Sequence, residues 1–86
     1  MSPSELAEIF DTNPATPLRL RLASGDIVVV DNPKRTLIES IVLYVGQADD
    51  PDARVAQRTK IVSIPNITLI EKIDPRQLRN GRRRRR

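Results

Sequence analysis

The chemistry available to this chain lies mainly in its arginines. Residues 82–86 are five consecutive arginines, and residues 76–86 contain seven arginines and no acidic residue. A guanidinium can hold two phosphate oxygens at once, and its binding to a polyanion releases counterions. The run therefore predicts an arm that binds the phosphate backbone of RNA or DNA without base preference.

Four arginines outside the run are also candidate contacts. Arg76 and Arg79 extend the arm towards the body of the protein, and Arg19 and Arg21 alternate with leucines, which places both on one strand face. An alternative interpretation of Arg19 and Arg21 is a solvated face opposite buried leucines. The candidate nucleic-acid contacts are Arg76, Arg79, Arg82, Arg83, Arg84, Arg85, Arg86, Arg19 and Arg21.

Charge is divided unevenly along the chain. Removing the seven arginines of residues 76–86 from the 15 basic residues leaves eight basic against eleven acidic residues in residues 1–75, a net charge of −3 beside an arm of +7. Such like-charge runs stay solvated and act as interaction segments. We therefore divide the chain into a domain of residues 1–75 and a tail of residues 76–86. A latch onto neighbouring copies, anionic lipid binding and a solubility or expression role are alternatives for the tail.

Catalysis and metal binding have little support in the sequence. The chain has no cysteine and no histidine, so a thiolate nucleophile and an imidazole base are excluded. The acidic cluster Asp49, Asp50 and Asp52 lacks the spacing and closing glutamate of a calcium loop, and we expect it at a mobile hairpin tip. We predict a non-enzymatic protein with no cofactor, no metal site and no small-molecule substrate.

Aromatic residues, on which bases of single strands usually stack, are scarce. Phe10 and Tyr44 are the only two. Phe10 is expected in the core, because it completes the apolar face of a helix. Tyr44 lies in a β-branched segment and has either a packing role or a base-stacking role on an exposed face.

The first element is expected to be a short helix. Ser2 is placed as N-cap, Pro3 as the first helical residue and Glu5 as the partner in a capping box. The helix is expected to end at Asn13, because the residue before a proline avoids the α region. The face expected to pack on the body consists of Leu6, Ile9 and Phe10.

Period-two alternation after residue 17 predicts β-structure. Residues 24–26, with a central glycine, are expected to form a hairpin turn, and Pro65-Asn66 is expected to form one 3₁₀ turn at a barrel corner. The expected strands lie around residues 18–22, 27–30, 41–45, 59–64 and 67–73.

Two segments resemble a known family. Residues 16–30, TPLRLRLASGDIVVV, follow a short helix and resemble the first motif of bacterial Sm-like RNA chaperones. Residues 60–70, KIVSIPNITLI, look like the last two strands of that fold or of SH3-like barrels. The resemblance implies ring formation through paired edge strands, which protects exposed edges. The histidine of the family's uridine pocket has no counterpart, so no pocket residue is carried over.

These observations predict a mostly β protein, a small five-stranded antiparallel SH3/Sm-like barrel with a short N-terminal α-helix and a basic C-terminal tail. No stretch reaches membrane-spanning length, and no signal peptide is expected. We expect a cytoplasmic protein, or one inside a nucleoprotein or phage particle. We expect an oligomeric protein whose function is to bind RNA or DNA phosphates through its tail. The alternative is a structural or assembly subunit of a ring or particle whose tail latches neighbouring subunits.

Overall fold

One helix and six strands make up the part of the chain that the computed structural model describes, which is residues 1–50, 52–74 and 76. In chain order they are α1 (Pro3–Thr12), β1 (Leu18–Leu22), β2 (Ile27–Val30), a first 3₁₀ turn (Pro33–Arg35), β3 (Thr36–Glu39), β4 (Val42–Gln47), β5 (Arg58–Ser63), a second 3₁₀ turn (Ile64–Asn66) and β6 (Ile67–Lys72).

Helix α1 begins with the predicted capping box. The Ser2 hydroxyl accepts a hydrogen bond from the Glu5 backbone N–H at 3.2 Å, and the Ser2 N–H donates to a Glu5 carboxylate oxygen at 3.0 Å. The helix ends before Asn13, whose N–H donates to the Ile9 carbonyl. Within the described ranges, no helix is long and apolar enough to cross a membrane.

Strands β1 and β2 form the predicted hairpin. Gly25 has a φ of +94°, a conformation that glycine adopts without a steric penalty. The register places Leu18 opposite Val30 and Leu20 opposite Val28. Leu18 and Leu20 are buried, so the alternating leucines face the core as expected.

The prediction of a single third strand around residues 41–45 is wrong. The structure has two strands there, β3 and β4, joined by a tight turn at Ser40 and Ile41. Ser40 has a φ of +54°, and Ile41 is 54% exposed in the turn. Glycine or asparagine usually marks such a conformation, and neither is present. The β-branched residues on both sides therefore resemble one continuous strand.

The six strands form two antiparallel sheets, where one small five-stranded antiparallel SH3/Sm-like barrel was expected. The first sheet has the order β2-β1-β6 and the second the order β3-β4-β5. The first 3₁₀ turn interrupts the chain between β2 and β3, so these two segments belong to different sheets. The second 3₁₀ turn joins β5 to β6 at the predicted place, and these two strands are not paired with each other in the described part of the chain.

The core lies between the inner faces of the two sheets and is covered by α1. Helix α1 contributes two buried side chains, and the rest come from the strands and the second 3₁₀ turn. The cluster contains Leu6, Phe10, Leu18, Leu20, Val30, Leu43, Val45, Val62, Ile64 and Ile67.

Strand β6 is the last strand of the domain before the tail. It pairs with β1 along its length, with Lys72 opposite Leu18. One residue farther on, the Ile73 N–H donates to the Pro17 carbonyl at 2.9 Å. The Ile73 side chain is 6% exposed. Residue 73 is therefore fixed to the start of the central strand by both its backbone and its side chain.

Gly46 lies where β4 is approached by two other segments. A Cβ atom at this position would lie 2.9 Å from the Ala56 Cβ and 2.9 Å from the Arg35 carbonyl oxygen. We expect Gly46→Ala to lower the free energy of unfolding by about 1–3 kcal/mol, because the backbone must shift to relieve the contact. Urea denaturation measures this change, and an unaltered midpoint would contradict the close approach.

Candidate nucleic-acid interface

The structure describes three of the nine candidate arginines, namely Arg19, Arg21 and Arg76. Arg79 and residues 82–86 lie outside the described residues. The structure therefore describes the two candidate arginines of the domain and the first residue of the tail.

Arg19 and Arg21 lie on the outer face of the first sheet and share one carboxylate. The Arg21 Nε donates to a Glu71 oxygen at 2.8 Å, and an Arg19 nitrogen lies 3.7 Å from the same oxygen. The register brings them together, because Glu71 lies opposite Arg19 on β6. The hydrogen bond from Arg21 is the main cause that lowers the pKa of Glu71. Two guanidinium groups beside one carboxylate leave a net charge of about +1 on this surface.

Arg76 is also paired with a carboxylate. Its guanidinium lies 3.2 Å from an Asp74 oxygen, and its backbone N–H donates to the other oxygen at 2.9 Å. The backbone hydrogen bond is the first cause of the lowered pKa of Asp74. Arg76 and the Arg19–Arg21 pair therefore bind different acids, and the structure shows no continuous basic track between them in the described ranges.

Of the two aromatic residues, Phe10 is buried in the core as predicted, at 6% exposure. Tyr44 is half-buried on the outer face of the second sheet. Leu37 lies opposite it on β3, and Ile61 lies opposite it on β5. Leu37 is 59% exposed and Ile61 is 70% exposed. These three side chains form an apolar row across the sheet.

The outer face around this row has a neutral to acidic character. Glu39 is the one charged side chain among its described residues. The face is formed by Leu37, Glu39, Val42, Tyr44, Thr59, Ile61 and Ser63. A stacking surface for nucleic acid normally combines aromatics with basic groups. This face lacks the basic groups, so its chemistry suits an apolar protein contact better. Sequence reasoning missed the row, although the alternation of Ile61 with the buried Val62 is its signal.

A buried ion pair lies within the segment that joins β2 to β3. An Arg35 nitrogen is 3.1 Å from an Asp31 oxygen, and both side chains are 5% exposed. The other Asp31 oxygen lies 3.4 Å from the Ala48 N–H, which it accepts as a hydrogen bond. The pair thus connects the first 3₁₀ turn to the end of β4. It was not predicted, and its only signal in the sequence is an acid and an arginine four residues apart within a turn.

The acidic loop between β4 and β5 has the exposed position expected for it. Asp49, Asp50 and Asp52 are exposed, and Pro51 lies outside the described residues. Asp49 lies 3.6 Å from a nitrogen of Arg58, in a solvated pair. No group of three potential metal ligands is present in the part of the chain that the structure describes.

A shallow groove of about 390 Å³ lies between α1 and the segment that leads into β3. Phe10, Pro14 and Pro33 supply apolar surface there. Asp11 and Lys34 carry opposite charges on its walls. The groove therefore has no net preference for a phosphate.

No protein-family model, curated protein or solved structure matches this chain. Its function is therefore inferred from its own residues.

Proposed function

We propose that this chain is an oligomeric nucleic-acid-binding protein that holds the phosphate backbone of RNA or DNA through its arginine tail, residues 76–86. The observation that carries the proposal is the charge division, with −3 on residues 1–75 and +7 on residues 76–86. Charged arms of this kind bind polyanions through counterion release and do not read base sequence. The partner is therefore any accessible RNA or DNA backbone.

The contacts of the domain support placing the binding charge in the tail. Arg19 and Arg21 share Glu71, and Arg58 lies beside Asp49. A phosphate must compete with these carboxylates for the same guanidinium groups. Arg82 and its four successors have no acidic neighbour within residues 76–86. The tail is therefore the region where positive charge is least compensated along the chain.

We also propose that the two sheets are an opened form of a small SH3-like or Sm-like barrel. The short helix before β1 and the 3₁₀ turn between the last two strands support this relationship. In this proposal the domain positions the tail and brings several tails together, because each copy contributes one tail to an oligomer.

The proposal is tested by fluorescence anisotropy of labelled single-stranded RNA and duplex DNA across a range of salt concentrations. About five neutralised phosphates predict a slope of log affinity against log salt of roughly −3.5 for single strands and roughly −4.5 for duplex. A chain that ends at Asn80 is expected to lose most of this slope.

Two variants serve as controls for that experiment. Replacing residues 82–86 by lysines keeps the charge and should keep most of the slope. Replacing Arg19 and Arg21 by glutamine should change the slope by less than about one, because these side chains already share Glu71. Equal affinity and slope for the full chain and the chain ending at Asn80 would contradict the proposal.

A structural or assembly role is the second candidate function. The apolar row of Leu37, Tyr44 and Ile61 favours it, because exposed apolar groups on one sheet face are typical of subunit contacts. In this role the tail binds acidic residues of neighbouring copies. Removal of residues 81–86 would then dissociate the oligomer and leave a weak nucleic-acid affinity unchanged, as measured by sedimentation and anisotropy together.

A further inference from the structure

Among the described residues, strand β5 forms an open edge of the second sheet. It is the last strand in the order β3-β4-β5, and five of its six residues are exposed. An edge strand presents unpaired N–H and C=O groups, which are a template for another strand. Ile61, near the middle of β5, is 70% exposed. A polar side chain would be expected there if this edge faced only water.

The hydrogen bonds at the end of β5 show which backbone groups face outward. The Ile64 N–H donates to the Ile41 carbonyl at 2.8 Å, and these residues continue the β4–β5 register. In an antiparallel pair, bonded and non-bonded residues alternate. Arg58, Lys60 and Val62 therefore bond to β4. The N–H and C=O groups that point away from β4 belong to Thr59, Ile61 and Ser63.

Only one register lets two copies of β5 pair well with each other. Outward-pointing residues must lie opposite one another, and a two-fold axis at Ile61 satisfies this with all three of them. Ile61 then faces Ile61 of the second copy, and Thr59 faces Ser63. If the register is shifted so that the two-fold axis lies at residue 60, Lys60 faces Lys60 of the second copy and the like charges repel. If the axis lies at residue 62, Thr59 faces Pro65 of the second copy, which has no N–H to donate.

We infer that two copies of this chain associate through an antiparallel pairing of their β5 strands, with Ile61 of each copy opposite Ile61 of the other. The second sheet of one copy and the second sheet of the other copy then form one six-stranded sheet. The apolar row of Leu37, Tyr44 and Ile61 continues across the two-fold axis into the same row of the second copy. Cross-strand apolar pairs of this kind stabilise sheets.

This inference deepens the oligomeric part of the proposed function and does not depend on nucleic-acid binding. A pairing of β5 with β6 of a neighbouring copy is a different arrangement, because it is heterologous and propagates into a ring or fibre. The two arrangements make different predictions for a cysteine at residue 61.

Site-specific cross-linking tests the register, and the chain contains no native cysteine. In a bonded antiparallel pair, opposite Cα atoms lie about 5.5 Å apart, which is within the range of a disulfide. Ile61→Cys is therefore expected to form a covalent dimer on oxidation or with a short bis-maleimide. Thr59→Cys is the matched control, because two copies of residue 59 would lie about 13 Å apart along the strands.

The result that supports the pairing is a covalent dimer for Ile61→Cys, a monomer for Thr59→Cys and a recovered dimer for the double variant Thr59→Cys/Ser63→Cys. Equal cross-linking of the two single variants would overturn the register. A failure of both single variants, or covalent species larger than a dimer, would overturn the two-fold pairing.

The mass in solution provides a second measurement. Sedimentation equilibrium is expected to give twice the 9.7 kDa chain mass for the unmodified chain. Ile61→Lys is expected to give one chain mass and an unchanged circular dichroism spectrum, because residue 61 is 70% exposed. An unmodified chain that is monomeric at all concentrations, or Ile61→Lys that stays dimeric, overturns the inference.

The two proposals fail separately in these measurements. A monomer with a steep salt slope in the anisotropy experiment would overturn the β5 pairing and leave binding by the tail in place. A two-fold dimer with flat, weak binding would overturn the tail proposal and leave the pairing in place.

Discussion

Asp31→Ala is expected to lower the free energy of unfolding by about 3–5 kcal/mol, which is the usual cost of removing one partner of a buried ion pair. Asp31 and Arg35 lie 3.1 Å apart, and both side chains are 5% exposed. The substitution leaves the Arg35 guanidinium buried without this carboxylate. It also removes the oxygen that accepts the Ala48 N–H. Urea denaturation followed by circular dichroism measures the effect.

Asp49→Ala is the matched control for this prediction. Asp49 also pairs with an arginine, Arg58, but at 3.6 Å and with side chains that are 82% and 53% exposed. Exposed pairs contribute about 0–1 kcal/mol, so the unfolding midpoint should change little. If Asp31→Ala proved no more destabilising than Asp49→Ala, the turn between β2 and β3 would not depend on the buried pair.

Leu20→Ala is expected to lower the free energy of unfolding by about 2–5 kcal/mol, the range found for large-to-small substitutions in cores. Leu20 is 0% exposed and lies in β1, the central strand of the first sheet. Its removal leaves a cavity between the sheet and the rest of the core. The cost adds the lost burial of the side chain to the lost contacts around the cavity.

The control for Leu20→Ala is Leu69→Ala, which makes the same chemical change on the neighbouring strand. Leu69 is 49% exposed and lies on the outer face of the first sheet, opposite Arg21. We expect a loss well below that of Leu20→Ala. Similar losses for the two variants would mean that the inner and outer faces of this sheet are not the ones that the structure assigns.

Local signals were sufficient to predict several elements. The capping box of Ser2 and Glu5 is a short-range pattern, and the structure confirms it. The β1–β2 hairpin and the 3₁₀ turn after β5 were also predicted, because glycine and proline restrict the backbone wherever they occur. The inward leucines of β1 follow from alternation alone.

The division into two sheets could not be predicted, because it depends on contacts between distant residues. Ser40 adopts a positive φ although nothing in its residue type requires this. The break between β2 and β3 is associated with a carboxylate that reaches the end of β4 at Ala48. Such long-range bonds appear only once the strands are in register.

The candidate site was likewise predictable only where its features do not depend on contacts between distant residues. The charge of the tail can be counted directly from the sequence, and so can the absence of histidine and cysteine. The pairing of Arg19 and Arg21 with Glu71 spans 50 residues between Arg21 and its acceptor. To predict this pairing from the sequence, one would have to know that β6 lies beside β1. Exposure of Ile61 likewise depends on which strand forms the sheet edge.

The attachment of residue 73 has a mechanical consequence. Tension on the chain beyond residue 73 would be transmitted along the backbone to Ile73, which is held by a hydrogen bond to the Pro17 carbonyl and by its buried side chain. From there the load would pass along the backbone into β6 and, through the hydrogen bonds between β6 and β1, into the central strand of the first sheet. Strand β6 is hydrogen-bonded along its length to the central strand of its sheet, so these two strands bear the load together.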